Sequence, residues 1–241
     1  MRERAEMGPS IAWAILRKDL LLDLRSRDRL GHMMLFSAIV SILLSIALPQ
    51  VTRSLARWLP ALMWVVFLLS SILGLSRSFQ AELEGGALQQ LVGVPAARGW
   101  VFVGKVAANW LTLVALQLWT ALLFGIFLYV PWTTGYPTQT NPAGGGVDLL
   151  ALLGIASLGA GGLSVLGTLF AAVATAVRNR EFMLPLLLFP LALPVLVYAS
   201  KATLTALESA PIPSFFWSLM VTYTWLFLLV GYFVFDFVLE D

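Results

Sequence analysis

The stretch Phe79–Pro95 reads FQAELEGGALQQLVGVP, and long apolar runs lie on both sides of it. It carries two carboxylates, Glu82 and Glu84, followed by Gly85 and Gly86. Ala87, Leu88 and Leu91 then interleave with Gln89 and Gln90, and Pro95 closes the stretch. Two glycines, about two turns of helix and a proline punctuate a short helix. A helix that short does not hold alone in water and needs a surface to dock on. Its apolar residues are then offered to another protein on the water side of a membrane. The same residues also read as a plain loop between two membrane helices, and the stretch taken alone leaves both readings open.

Composition decides the setting. Of 241 residues, 59% are hydrophobic and 12% are charged, whereas a soluble domain carries about 25% charged residues. This is the composition of an integral membrane protein. The absence of cysteine excludes disulfides, thiolate metal sites and thiol nucleophiles. A formal charge of +2 is too small to suggest a nucleic-acid partner. The first apolar segment is broken at once by Arg17, Lys18 and Asp19, unlike a cleavable signal.

Outward from the central stretch, the apolar runs predict an all-α protein with six transmembrane helices after an N-terminal interfacial helix, as a single polytopic membrane domain over 1–241. The spans are expected at about 31–49, 58–76, 106–130, 149–177, 182–200 and 214–236, with the polar stretch at 79–98 between the second and third. Each of the first two runs is about 18 residues, or about 27 Å as helix, enough for the hydrocarbon core. Residues 1 to 9 read as loose. Over 10–30, Trp13, Leu16, Leu20 and Leu24 recur at helical spacing. Arg17, Lys18, Arg25 and Asp28 gather opposite, Asp19 lies among them, and Asp23 and Arg27 are placed for an i,i+4 pair. A basic amphipathic helix of this kind lies in the membrane interface, the plainer alternative being the cytosolic start of the next helix. Residues 131–146, PWTTGYPTQTNPAGGG, form a loop by composition, with Trp132 and Tyr136 suited to the interface.

Lysine and arginine set the orientation. With six spans, twelve of the fifteen fall on the side of the termini and the central stretch, and only Arg53, Arg57 and Lys201 fall on the other. Both termini and residues 79–98 are therefore expected in the cytoplasm.

Several motifs have plainer readings. Gly99–Lys105, GWVFVGK, has phosphate-loop spacing, but Trp100, Val101, Phe102 and Val103 cannot wrap a phosphate and Val106 replaces the hydroxyl residue. It reads as the start of a membrane helix, so no ATP site is expected in this chain. His32, the only histidine, reads as a hydrogen-bonded residue at a helix mouth rather than a haem ligand. Gly154, Gly161 and Gly167, with Ser157, Ser164 and Thr168, place small residues at three- and four-residue steps, a surface for close helix contact in a bundle or across a dimer. Pro185, Pro190 and Pro194 interrupt the fifth span, where freed carbonyls need neighbours or a cavity. No catalytic motif is visible, and no charge falls inside the six proposed spans short of Asp236 at the last position of the sixth, so neither an enzyme nor an ion-coupled carrier is expected.

LRKDLLLDLR at 16–25, WVVFLLSSILGLSRSFQAELEGGALQQLVGVP at 64–95, GKVAANW at 104–110 and LLLFPLALPVLVYASKA at 186–202 resemble the B subunit of the cytochrome c maturation haem exporter, the CcmB family. The resemblance implies an ABC-2-type permease fold in the bacterial cytoplasmic (inner) membrane. It makes Glu82, Gly85, Gly86, Leu88, Gln89, Gln90 and Leu91 the interface for a separate CcmA-like ATPase, which alone would handle ATP. It also implies a homodimer of this chain, partner membrane subunits resembling CcmC and CcmD, a CcmE-like haem chaperone, and haem as cargo without a tightly bound cofactor here. A permease of the same fold for lipid, polysaccharide or drug, and a non-transport membrane scaffold, stay open as alternatives.

Overall fold

The computed structural model describes residues 2–26, 28–48, 53–84, 98–137, 146–175 and 180–238. Among these the architecture is all helix: α1 (Arg2–Ser26), α2 (Asp28–Ala47), α3 (Arg53–Ala56), α4 (Leu59–Glu84), α5 (Arg98–Phe127), α6 (Leu149–Thr175), α7 (Arg180–Leu207) and α8 (Ser214–Val238). Among the described residues, five segments are long and apolar enough to cross a membrane: Asp28–Ala47, Gly99–Phe127, Leu149–Ala171, Pro185–Leu207 and Ser214–Val234. The second expected span falls on α4, whose apolar part, Leu59–Leu75, is shorter. Helices are what such a chain must form, because lipid offers no partners for backbone N–H and C=O groups.

The exterior is apolar. Leu35, Ile39, Leu43 and Ile46 on α2, and Trp225, Leu229 and Phe233 on α8, are exposed. The interior holds Trp64, Phe67, Phe102 and Phe124 together with buried Ser, Thr, Asn and Gln. Lipid tails are as apolar as leucine, so the bundle is held by close packing and interhelical hydrogen bonds rather than by escape from water. Trp64 Nε1 donates to Thr203 Oγ1 at 3.1 Å, Trp110 Nε1 to the Ser157 carbonyl at 2.9 Å, and Ser164 Oγ to the Val106 carbonyl at 2.7 Å.

Helix α6 is the centre of the bundle and packs on α4, α5, α7 and α8. Asp148 caps its start, its Oδ1 accepting from Leu150 N at 3.0 Å and Ala151 N at 3.2 Å. Its small residues face several neighbours rather than one. A Cβ on Gly154 would meet Trp217 at 2.9 Å, and one on Gly167 would meet Leu75 at 2.2 Å, while Gly161 faces Thr224 and Trp110 at ordinary distances. All three prolines lie within the unbroken helix α7, and Tyr223 on α8 donates its hydroxyl to the Leu191 carbonyl beside Pro190. Pro194 is exposed one turn further on.

Two expectations need correction. Residues 2–9, read as loose, are helical and belong to α1, and the reason is a contact. Gly8 sits so close to the Trp100 ring that a Cβ there would be 2.3 Å from it, and a Cβ on Gly104 would be 2.7 Å from the Ala12 carbonyl. The apolar helices also begin earlier than the expected spans and each takes in a base: Lys105 lies inside Gly99–Phe127, expected from 106, and Arg29 inside Asp28–Ala47, expected from 31. Each is buried in an ion pair, Lys105 with Asp19 and Arg29 with Asp23.

At the far end, residues 128–137 and 146–148 fold back on the end of α7. Tyr136 N donates to the Leu207 carbonyl at 2.6 Å, and Ser209 Oγ donates to the Gly146 carbonyl at 3.0 Å. Gly135 adopts φ of 72°, and a Cβ there would be 2.6 Å from the same Leu207 carbonyl, so this turn requires glycine. Arg57 Nε meets Glu208 Oε1 at 3.1 Å nearby, an exposed pair of little consequence for stability.

Candidate functional site

The residues that carry chemistry in α1 are its acids. Asp19 and Asp23 are one turn apart, so they share a face. On α5, Lys105, Asn109 and Thr112 stand at i, i+4 and i+7 and form a polar stripe in an otherwise apolar helix. The two stripes meet. Lys105 Nζ lies 3.7 Å from Asp19 Oδ2, and Thr112 Oγ1 donates to Asp23 Oδ2 at 3.1 Å. Arg29, at the start of α2, completes the group. Its Nη1 is 3.3 Å from Asp23 Oδ2, and its Nη2 donates to Asn109 Oδ1 at 2.8 Å. Asn109 in turn donates through Nδ2 to Thr168 Oγ1 on α6 at 2.8 Å.

This network joins α1, α2, α5 and α6 at one end of the bundle. Asp23, Arg29, Lys105, Asn109, Thr112 and Thr168 are all buried. Two acids face two bases, which balances the charge. Burial of ions at this depth is tolerable only when they are paired and hydrogen-bonded. What the arrangement does is anchor: it holds the N-terminal helix against the start of α5. Among the described residues, no three His, Asp or Glu side chains converge to hold a metal ion.

The pairing also sorts the charges of α1. Asp19 and Asp23 point to the protein, while Arg17, Lys18 and Arg25 are exposed together with Trp13, Leu21 and Leu24. The expected division into an apolar face and a charged face is thus only half of the arrangement, since Asp19 is drawn inward by Lys105 and also meets Lys18 at 3.2 Å. Asp23 pairs with Arg29, and Arg27, its expected partner, lies outside the described residues. His32 is exposed and directs Nδ1 at the Asp28 carbonyl one turn earlier.

The central stretch enters from this same end. Glu82 and Glu84 occupy the last turn of α4. Gly85, Gly86, Leu88, Gln89, Gln90 and Leu91 lie outside the described residues. The chain resumes at Arg98, two turns before Lys105, so the stretch leads directly into the helix that carries the polar network. Asn109, Thr112 and Arg29 were missed as site residues in the sequence reading. The polar i, i+4, i+7 stripe on α5 was the available signal.

The family model described as CcmB protein matches residues 10–240. This chain belongs to the CcmB family. A relative named heme exporter protein B from Pseudomonas aeruginosa is 31% identical over 197 residues, covering 82% of each chain. Another of that name from Paracoccus denitrificans is 32% identical over 189 residues, covering 78% of this chain and 80% of the relative. The Escherichia coli protein of that name is 34% identical over a shorter region of 99 residues, 41% of this chain and 45% of the relative. The CcmB match takes in the polar network, the central stretch and the proline-bearing helix α7 alike.

Proposed function

We propose that this chain is the membrane permease component of a haem exporter serving cytochrome c maturation, with an ABC-2-type fold of six spans. The observation that carries the reading is the CcmB match over residues 10–240. The chain sits in the bacterial inner membrane with both termini in the cytoplasm, as the lysine and arginine distribution indicates. A separate CcmA-like ATPase docks on the segment containing Leu88 and Leu91, and two copies of this chain pair with two ATPase subunits. CcmC-like and CcmD-like membrane subunits and a CcmE-like chaperone handle the haem, and this chain binds no cofactor tightly.

The mechanism is mechanical. ATP-driven closure of the ATPase pair pushes on residues 86–94. The push enters α5 at Arg98, and the Asp19–Lys105 and Asp23–Arg29 pairs make α1 and α2 move with it. The polar network thereby turns a local push into a shift of several helices.

The test uses Leu88→Asp. A charge entering an apolar groove is desolvated without a partner, at a cost on the order of several kcal/mol. The variant is expected to insert and accumulate normally, yet to lose its ATPase on co-purification and to abolish cytochrome c assembly. Thr138→Asp, in the stretch 131–146 that carries no part of the docking segment, is the harmless control. Wild-type ATPase binding and cytochrome assembly in Leu88→Asp would refute the docking role. Partners identified by mass spectrometry after co-purification, with no cytochrome-maturation proteins among them, would refute the haem reading.

A further inference from the structure

A cavity of about 300 Å³ lies in the half of the bundle away from the polar network. Trp64 of α4, Gln117 of α5, Ala156 of α6, Thr203 of α7 and Trp132 of the loop contribute to its wall, which is otherwise aliphatic. Its rim includes Leu118, Leu149 and Leu153, which are exposed on the lipid-facing side of α5 and α6. The cavity is thus reached from the bilayer, and its volume is at the lower end of the range for small-ligand sites, about 300–1,000 Å³.

Most polar groups around it are already engaged. Trp64 Nε1 donates to Thr203 Oγ1, Thr203 Oγ1 donates to the Ala199 carbonyl at 2.8 Å, and Trp132 Nε1 donates to the Ala121 carbonyl at 3.0 Å. Gln117 differs. It is 2% exposed, and its Oε1 accepts no hydrogen bond. A buried amide oxygen left in this state is costly. The terminal torsion of glutamine is broad, so the amide can turn this oxygen toward the cavity at little cost.

We propose that the cavity binds a neutral, ring-bearing amphiphile from the bilayer that carries a hydroxyl donor, the hydroxyl reaching Gln117 Oε1. An acyl chain fits the apolar walls but leaves the amide oxygen unpaired. A charged headgroup finds no counter-ion among the residues of the wall. A flat ring suits a wall that includes two tryptophans, and a phenolic hydroxyl provides the missing donor.

The test uses the full chain in phosphatidylcholine nanodiscs and a diazirine-bearing 4-alkylphenol as photolabel, with labelled peptides mapped by mass spectrometry. Label is expected on the segments around Gln117 and Leu153. Competition by 4-octylphenol is expected to be roughly tenfold stronger than by its methyl ether, the scale of one hydrogen bond. Gln117→Leu should erase that preference, and Ala156→Phe, which fills the cavity, should remove the labelling. Equal competition by the phenol and the ether in the unaltered chain would overturn the proposal and assign the cavity to an acyl chain. Undiminished labelling in Ala156→Phe would place the label elsewhere and overturn it equally. The comparison of the two competitors needs no variant, so it stands even if a substitution impairs folding.

Discussion

Replacing Arg29 by methionine removes one positive charge from the buried network and leaves its partners in place. Asp23, 8% exposed, would keep only the Thr112 hydroxyl, and Asn109 Oδ1 would lose its donor. Orphaning one member of a buried ion pair costs about 3–5 kcal/mol. The surviving Thr112 bond puts the expected loss at the lower end, about 3 kcal/mol. Asp23→Leu leaves Arg29 with Asn109 as its remaining hydrogen-bond partner in the network and should cost a similar amount. The double variant Asp23→Leu/Arg29→Met removes both charges, and apolar replacement of a whole buried pair is often close to neutral. It retains one unsatisfied amide oxygen, worth about 1 kcal/mol. Independent sites would give about 6 kcal/mol for the double variant, and a coupled pair about 1 kcal/mol. The assay is reversible unfolding in mixed micelles followed by helicity, run as a double-mutant cycle. A double variant as unstable as the sum of the singles, or an Arg29→Met that loses under about 1 kcal/mol, would refute the anchoring role of the network.

The Tyr136 hydroxyl is buried without a partner, so Tyr136→Phe should leave stability unchanged or raise it by up to about 1 kcal/mol in the same unfolding assay. Burial pushes the Tyr136 phenol from 10.0 up to about 12. The unfolded chain therefore gives up this proton first, and stability should fall as pH rises from about 10 to about 12, less so in Tyr136→Phe. Reporter fusions at Arg2, Arg98 and Arg180 should report cytoplasm, and fusions near Tyr136 and Glu208 the opposite side; a cytoplasmic signal at Tyr136 would overturn the six-span topology. His32→Ala should leave cytochrome c maturation near normal, and loss of haem transfer at normal protein level would make this histidine a ligand instead.

The all-helical class was legible in the sequence because it follows from a local requirement. In lipid an apolar run must satisfy its own backbone, and a helix does so within the segment. That small residues on α6 permit close approach is a local statement of the same kind, since it depends on what the helix itself lacks. Which face of α1 turns inward was not legible. A membrane protein can bury polar groups against its own helices while apolar ones meet lipid, so the periodicity of Trp13, Leu16, Leu20 and Leu24 gives a direction without a sign. The pairing of Arg29 with Asn109 spans 80 residues, and that of Asn109 with Thr168 spans 59. Only the tertiary packing of α1, α2, α5 and α6 brings these groups within reach. The same packing leaves Gln117 without a donor beside a cavity. Lys105 and Arg29 remain inside apolar helices because charges brought in by other segments neutralise them there, a condition no single stretch of the chain contains.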